Sequence, residues 1–207
     1  MRILGINGSH RSGKGTSKLL AAALDEAAAR GAQTELVELA DLDIGYCVGC
    51  NACLARPTCA LSGDDMAALT EKLLAADGVI LASPDYFSSV SARMKTFMER
   101  TRPLHMVANA LKGKVGGMVA TAGLNDCGIE STMEAMDRWF ATQEMLVVHP
   151  RVEGPVLAAG ATATQYDGFD ADKGRLKWRR VEDDTVAFDT ARRLGGDMVG
   201  LLERLSA

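Results

Sequence analysis

The sequence predicts one α/β domain built on a doubly wound, five-stranded parallel sheet of order 2-1-3-4-5, with helices on both faces. Two observations predict this fold class. Five short apolar runs alternate, along the first 150 residues, with segments whose apolar residues recur at helical spacing, which is typical of βα units. The 207 residues, 47% hydrophobic and 24% charged, also have the size and composition of one globular domain. We therefore treat residues 1–207 as a single domain.

The five apolar runs are the predicted strands, and prolines mark the end of two of them. The third run is followed by Pro84 and the fifth by Pro150, and proline lacks the N–H that a sheet requires. The predicted strands are residues 2–7, 34–39, 78–82, 115–120 and 145–148. Because a helical segment separates each run from the next, we expect the strands to be parallel.

Helical periodicity fills the gaps between these runs, and the first helix ends at Gly31, a residue typical of the position after a helix C-terminus. The residues that mark one face of each helix are Leu20, Ala23, Leu24 and Ala27; Met66, Leu69 and Leu73; Met94, Phe97, Met98 and Thr101; Met133, Met136 and Phe140; and Leu194, Met198, Leu201 and Leu205. The last group predicts a C-terminal helix over about residues 182–205. Residues 151–180 show little periodicity, and we expect an irregular excursion there.

Charge and apolar run length exclude two classes of partner. Lys and Arg total 23 against 27 Asp and Glu, a net charge of -4, which leaves no basic surface for nucleic acid. No apolar run approaches the roughly 20 residues of a membrane helix. The start of the chain is too short for a signal peptide and predicts a strand. We expect a cytoplasmic protein that binds neither nucleic acid nor a membrane.

The loop between the first strand and the first helix has the composition of an anion site. Glycines let the main chain curl, N–H and hydroxyl groups donate hydrogen bonds, and a helix N-terminus favours negative charge. Gly15 stands where a nucleotide-binding P-loop needs Ser or Thr for magnesium, so a monophosphate is favoured over ATP or GTP. The alternative is a Gly/Ser-rich turn before a capped helix. The candidate ligands are Ser9, His10, Arg11, Ser12, Lys14, Gly15, Thr16 and Ser17.

Two further loops leave strands at the same edge of the sheet, where doubly wound sheets bind ligands. The loop after the third strand contains two adjacent aromatic residues in a chain that is only 5% aromatic. This pair indicates either a flat ligand or a cover over the core. The loop after the fourth strand offers main-chain hydrogen bonds to the edge of a ring. The candidate contacts are Pro84, Asp85, Tyr86, Phe87 and Ser88 in the former loop and Thr121, Ala122 and Gly123 in the latter.

Four of the five cysteines lie close together, in an insertion of about residues 45–62. They are Cys47, Cys50, Cys53 and Cys59. Thiolates at this spacing can converge on one small inorganic cluster, whereas zinc sites more often use two separated pairs. We interpret the run as an iron–sulfur ligand set, with zinc and free redox-active thiols as alternatives. We expect Cys127 to be a packed or loop thiol.

Taken together, these motifs resemble the iron–sulfur flavoproteins, a branch of the NADPH-dependent FMN reductase family with a flavodoxin-like fold. The resemblance extends from Met1 to about Val148. It rests on residues 6–11, 15–17, 64–66, 83–86, 113–116 and 120–121, on Lys95 and on the four cysteines.

The resemblance implies an FMN-dependent oxidoreductase that exchanges electrons between the flavin, a [4Fe-4S] cluster and a small-molecule substrate or NAD(P)H. It implies that Ser9, Arg11, Thr16 and Ser17 bind the FMN phosphate. The loops after the third and fourth strands would border the ribityl chain and the two ring edges, and the cysteine run would carry the cluster. Since the flavin transfers the hydride itself, we predict no catalytic residue.

The resemblance also implies a homodimer or homotetramer, with a small molecule or a redox protein as its partner. Two other functions remain as alternatives. One is a cluster-free NAD(P)H-dependent FMN or quinone reductase, and the other is a non-catalytic electron-transfer flavoprotein.

Overall fold

The computed structural model describes residues 1–125, 127–150 and 160–207. Its central sheet contains the five predicted parallel strands in the predicted order, β2-β1-β3-β4-β5. These strands are β1 (Arg2–Asn7), β2 (Gln33–Glu38), β3 (Gly78–Pro84), β4 (Val115–Ala122) and β5 (Leu146–Val147). The fold is therefore the predicted flavodoxin-like, doubly wound α/β arrangement.

Burial decreases from the centre of the sheet towards its β2 edge. Every residue of β3 and of β4 is buried, as expected where helices cover both faces of a parallel sheet. In β2 only Val37 is buried. The two central strands therefore combine small and apolar residues that pack on both faces, whereas the edge strand also carries polar residues.

The helices of the described chain divide between the two faces of the sheet. On one face lie α1 (Gly15–Ala29) and, from the C-terminal end of the chain, α6 (Thr185–Ser206). On the other face lie α2 (Met66–Ala75), α3 (Ala92–Arg100), α4 (Arg102–Met106) and α5 (Ile129–Thr142). The first pair approaches closely at Gly195, where a Cβ atom would lie 2.0 Å from the Ala23 carbonyl oxygen. Only glycine fits at this crossing.

The expectation of an irregular excursion over residues 151–180 is wrong for its second part. Residues 151–159 lie outside the described residues. After them, β6 (Ala161–Thr164) pairs in parallel with β4, on the same side as β5. An antiparallel hairpin of β7 (Tyr166–Asp170) and β8 (Arg175–Trp178) follows. The described part of the central sheet thus has six strands.

Strands are predicted from large apolar residues that recur at every second position. The sequences of β6 and β7 contain few such residues. Ala161 and Ala163 of β6 are buried and Thr162 between them is exposed, so the apolar face consists of alanines alone. In β7 the pairing register shifts, and Gly168 there has a left-handed φ of +106°. A bulge of this kind interrupts the alternation of inward and outward side chains.

The C-terminal helix lies within a few residues of its predicted range, and the predicted cysteine insertion has little regular structure. Residues 45–62 contain a single 3-10 turn, Ala52–Leu54. The C-terminal helix begins at Thr185 because the Asp184 carboxylate caps it by accepting from the Ala187 N–H (3.1 Å). Among the described residues, no helix combines the length and the hydropathy that crossing a bilayer would require.

Candidate functional site

The three predicted loops follow the neighbouring strands β1, β3 and β4, and they contact one another. The Gly8 N–H donates to the Ala82 carbonyl (2.7 Å), and the Asp85 N–H donates to the Thr121 carbonyl (2.7 Å). The buried hydroxyls of Thr16 and Thr121 lie 2.6 Å apart. The structure thus joins residues from separate parts of the sequence into one site, at the point where the strand order reverses.

The first of these loops leads into the N-terminus of α1, which has no side-chain cap among the described residues. Lys14 occupies the N-cap position without a capping hydrogen bond, and the first turn contains no acidic residue. An uncapped first turn leaves main-chain N–H groups available to an anion. The exposed side chains of Arg11 and Lys14 add positive charge beside it. This geometry suits a phosphate, and the side-chain cap expected in the alternative interpretation is absent at Lys14.

Two carboxylates near the end of β2 accept hydrogen bonds from the first loop. Glu38 accepts hydrogen bonds from the Gly13 N–H (3.1 Å) and from the Ser17 hydroxyl. Asp41 accepts one from the Ser12 hydroxyl (2.7 Å). Ser12 and Ser17, both predicted phosphate ligands, therefore donate to carboxylates in this structure. The sequence predicts neither acidic contact, although the strand order places β2 beside β1 and could have indicated them.

Asn7, the last residue of β1, connects the loop to Glu38. Its side chain is fully buried, donates through Nδ2 to Glu38 (2.6 Å) and accepts from the Ser9 N–H (3.0 Å). The Ser9 hydroxyl accepts in turn from the Arg11 N–H (3.1 Å). These bonds fix the curl of the loop and leave the side chains of His10 and Arg11 exposed.

The second loop is a tight turn that exposes its aromatic residues. The Tyr86 N–H donates to the Ser89 carbonyl (2.9 Å), and Phe87 and Ser88 both have left-handed φ values, +53° and +57°. Such non-glycine conformations cost of order 1–3 kcal/mol each and cluster at functional sites. The Phe87 side chain is fully exposed to solvent, while the Tyr86 ring stacks on the His10 ring with centroids 5.5 Å apart. The alternative that this aromatic pair covers the core is therefore wrong.

Asp85 and Cys127 connect the second loop to the third. The Asp85 carboxylate accepts from the Thr132 hydroxyl (2.7 Å), and the Cys127 sulfur lies 3.8 Å from its other oxygen. The Ser88 hydroxyl donates to the Cys127 carbonyl (3.2 Å). Cys127 is thus the expected loop thiol, and it fixes the position of one loop against the other.

The β7–β8 hairpin, which the sequence does not predict, lies beside the third loop. The Gln165 N–H donates to the Ala122 carbonyl (3.0 Å). The indole of Trp178 packs against Gly123, where a Cβ atom would lie 3.6 Å from the ring. About half of the Trp178 side chain remains exposed. The hairpin therefore places an accessible indole ring next to the predicted ring-binding loop.

The four clustered cysteines surround one cavity of about 20 Å³. None forms a disulfide; Cys47 and Cys50 are exposed, and Cys53 and Cys59 are half-buried. Four free thiols are the donor set of an iron–sulfur or zinc site. In residues 1–125, 127–150 and 160–207, however, no three Cys, His, Asp or Glu side chains stand in an arrangement that could hold a metal ion. The four thiols thus have the donor chemistry that a cluster requires.

An ion pair closes the base of the cysteine segment, defined here as residues 45–62. Arg100, the last residue of α3, donates to both carboxylate oxygens of Asp64 (2.5 and 3.1 Å) and to the Gly45 carbonyl (2.7 Å). Hydrogen bonding from the Arg100 guanidinium lowers the pKa of Asp64, and burial opposes that change. Arg100 follows Phe97 by three residues on the buried side of α3, and a charged residue at such a position is a signal for a buried partner.

The cysteine segment begins close to the first loop. His10 of that loop and Tyr46, next to the first cysteine, line a common cavity of about 190 Å³. The predicted phosphate site and the cysteine segment are therefore neighbours within one chain.

Comparison with known proteins shows the family. The chain matches the family model described as NADPH-dependent FMN reductase over residues 1–153. It is 36% identical over 195 residues to an iron–sulfur flavoprotein of Methanocaldococcus jannaschii, with 94% of each chain covered. It is 31% identical over 203 residues to an iron–sulfur flavoprotein of Methanosarcina thermophila, with 98% of this chain and 96% of that protein covered.

A solved structure gives independent support for the fold. The structure of RosB with bound 8-demethyl-8-formylriboflavin-5'-phosphate superposes with a TM-score of 0.74 at 18% identity, over 100% of this chain and 80% of that chain. The chain thus belongs to the NADPH-dependent FMN reductase family, in its iron–sulfur flavoprotein branch, and is an FMN-dependent oxidoreductase.

Proposed function

We propose that the protein binds FMN across its three loops and a [4Fe-4S] cluster on Cys47, Cys50, Cys53 and Cys59. It exchanges electrons between flavin, cluster and a small-molecule substrate or NAD(P)H. The observation that carries the proposal is the meeting of three loops at the uncapped start of α1, with the cysteine segment beside them.

The first loop supports binding of the FMN phosphate. Main-chain N–H groups at the start of α1 and the Arg11 guanidinium would hold the dianion through charge-assisted hydrogen bonds. Glu38 and Asp41 hold the loop in its curled form through their bonds to Ser17 and Ser12. Bonds that hold the loop in this form would reduce the conformational entropy lost on binding.

The second and third loops support binding of the flavin ring. The exposed Phe87 and the stacked pair of His10 and Tyr86 present aromatic surfaces, and the end of β4 presents main-chain groups. When bound, FMN supplies the hydride and electron transfer, so the chain needs no nucleophile. The residues of these loops orient the ring and limit the access of solvent to it.

The cysteine segment supports a cluster through its donor chemistry. Four thiols of one short segment line the same cavity, and no disulfide occupies any of them. Zinc would accept the same donors. The name of the Methanocaldococcus jannaschii and Methanosarcina thermophila relatives, iron–sulfur flavoprotein, favours iron for this chain.

Anaerobic purification followed by a visible spectrum and by iron and sulfide analysis tests the proposal. We expect flavin absorbance together with iron and sulfide in the wild type. Cys53→Ser should lose iron and sulfide and retain FMN, whereas Cys127→Ser, at a thiol outside the segment, should retain the iron. Reconstituted protein with flavin and no iron would favour the cluster-free reductase, and protein that binds no flavin would contradict the whole proposal.

A further inference from the structure

Arg100 joins the two ends of the cysteine segment. Its Nη1 donates to the Gly45 carbonyl (2.7 Å) and to Oδ2 of Asp64 (2.5 Å), and its Nη2 donates to Oδ1 of Asp64 (3.1 Å). Gly45 precedes the first cysteine of the run, and Asp64 follows the last one. One guanidinium therefore holds both ends of a segment that has almost no regular structure of its own.

The same guanidinium forms part of the wall of the cysteine cavity. Arg100 lines this cavity together with all four cysteines. Its side chain is only 1% exposed, and its Nε–H has no acceptor among the described residues. A buried N–H without an acceptor is costly. This donor is therefore free to bind an acceptor at the cavity wall.

The other charged residues around the cavity have partners at its rim. Glu99 forms an exposed ion pair with Lys95 (3.5 Å), and Arg102 donates to the Asn51 side chain (2.8 Å). Among the described residues that line the cavity, Arg100 is the fully buried cation.

We propose that Arg100 is a positioning residue for the sulfur ligands: it fixes the ends of the cysteine segment and donates its Nε–H to a sulfur of the cluster. This inference rests on the cluster in the proposed function. A hydrogen bond to a cluster sulfur stabilises the more negative, reduced state and so raises the reduction potential.

Potentiometry and amide exchange on the reconstituted protein test the role of Arg100. We expect Arg100→Met to lower the midpoint potential of the cluster and to increase exchange over residues 45–64, with FMN content unchanged. Arg100→Lys keeps a cation but lacks the forked donor geometry, and we expect it to fold normally with a smaller shift of the same sign. The control Arg192→Met removes an exposed ion pair with Asp189 on α6, on the opposite face of the sheet, and should change neither quantity.

The midpoint potential and the amide exchange together distinguish a failure of this inference from a failure of the proposed cluster. An Arg100→Lys protein with the potential and the exchange of the wild type would overturn the inference, even if Arg100→Met failed to fold. If the wild type reconstitutes no iron, the proposed cluster is refuted, and exchange in the metal-free protein still decides whether Arg100 positions the segment. Unchanged exchange in both Arg100 variants would then refute that role, and increased exchange would support it.

Discussion

Individual side chains of the first loop are expected to contribute measurably to the affinity for FMN. Arg11→Ala and Thr16→Ala should each weaken binding roughly ten- to a hundred-fold, because a hydrogen bond to a charged group contributes about 1.5–3 kcal/mol. FAD should bind more weakly than FMN, because the loop lacks the glycine fingerprint of a pyrophosphate site. Titration of the apoprotein measures both effects, with Arg138→Ala, at an exposed ion pair on α5, as the control. Wild-type FMN affinity in both loop variants would refute the phosphate assignment.

Gly128 is a single position on which the contact between two loops depends. Its φ is +108°, and a Cβ atom there would lie 2.4 Å from the Cβ of Ser88. We expect Gly128→Ala to lower both the melting temperature and the affinity for FMN. Gly174→Ala shares the left-handed backbone (φ +58°) but has open space around it. Losses of equal size in the two variants would show that the contact with Ser88 is unimportant.

Among the strands of the central sheet, β6 is the one that the sequence does not predict. Its placement beside β4 can be tested by substitution. Ala163 is 2% exposed, so Ala163→Asp buries a carboxylate without a partner and should destabilise the protein by about 3 kcal/mol or more. Thr162→Asp, at the neighbouring exposed position of the same strand, should change stability by less than about 1 kcal/mol. Denaturant unfolding of both variants is the measurement. Equal stability of the two would contradict the placement of β6.

The elements that the sequence predicts correctly are those with a strong local pattern. Central strands such as Gly78–Pro84 read as apolar runs because both faces of the sheet are covered. The β6 segment is not recognisable as an apolar run, since only two alanines form its buried face. The loops of the site could be predicted because glycines, hydroxyls and adjacent aromatics are local signals. Glu38 and Arg100 could not, because their contacts depend on which distant segments the fold brings together.

For the whole molecule, we predict a homodimer or homotetramer. Several large apolar side chains of the cysteine segment, the second loop and the β7–β8 hairpin are exposed in the single chain, and exposed apolar surface of this kind is typical of interfaces. They are Tyr46, Val48, Phe87, Phe169 and Trp178. Light scattering after size-exclusion chromatography should give a multiple of the 22.0 kDa chain mass. A mass of one chain at micromolar concentration would contradict the prediction.

Mössbauer spectroscopy of anaerobically reconstituted, FMN-loaded protein, combined with iron and sulfide analysis, tests the proposed cluster most directly. Reconstitution matters because oxygen can strip iron from an exposed thiolate site, and Cys47 and Cys50 are exposed. We predict one [4Fe-4S] cluster and one FMN in each chain, with the cluster lost and FMN retained when any one of the four cysteines is replaced by serine. One zinc ion or no metal in each chain of the reconstituted protein would refute the proposed [4Fe-4S] cluster.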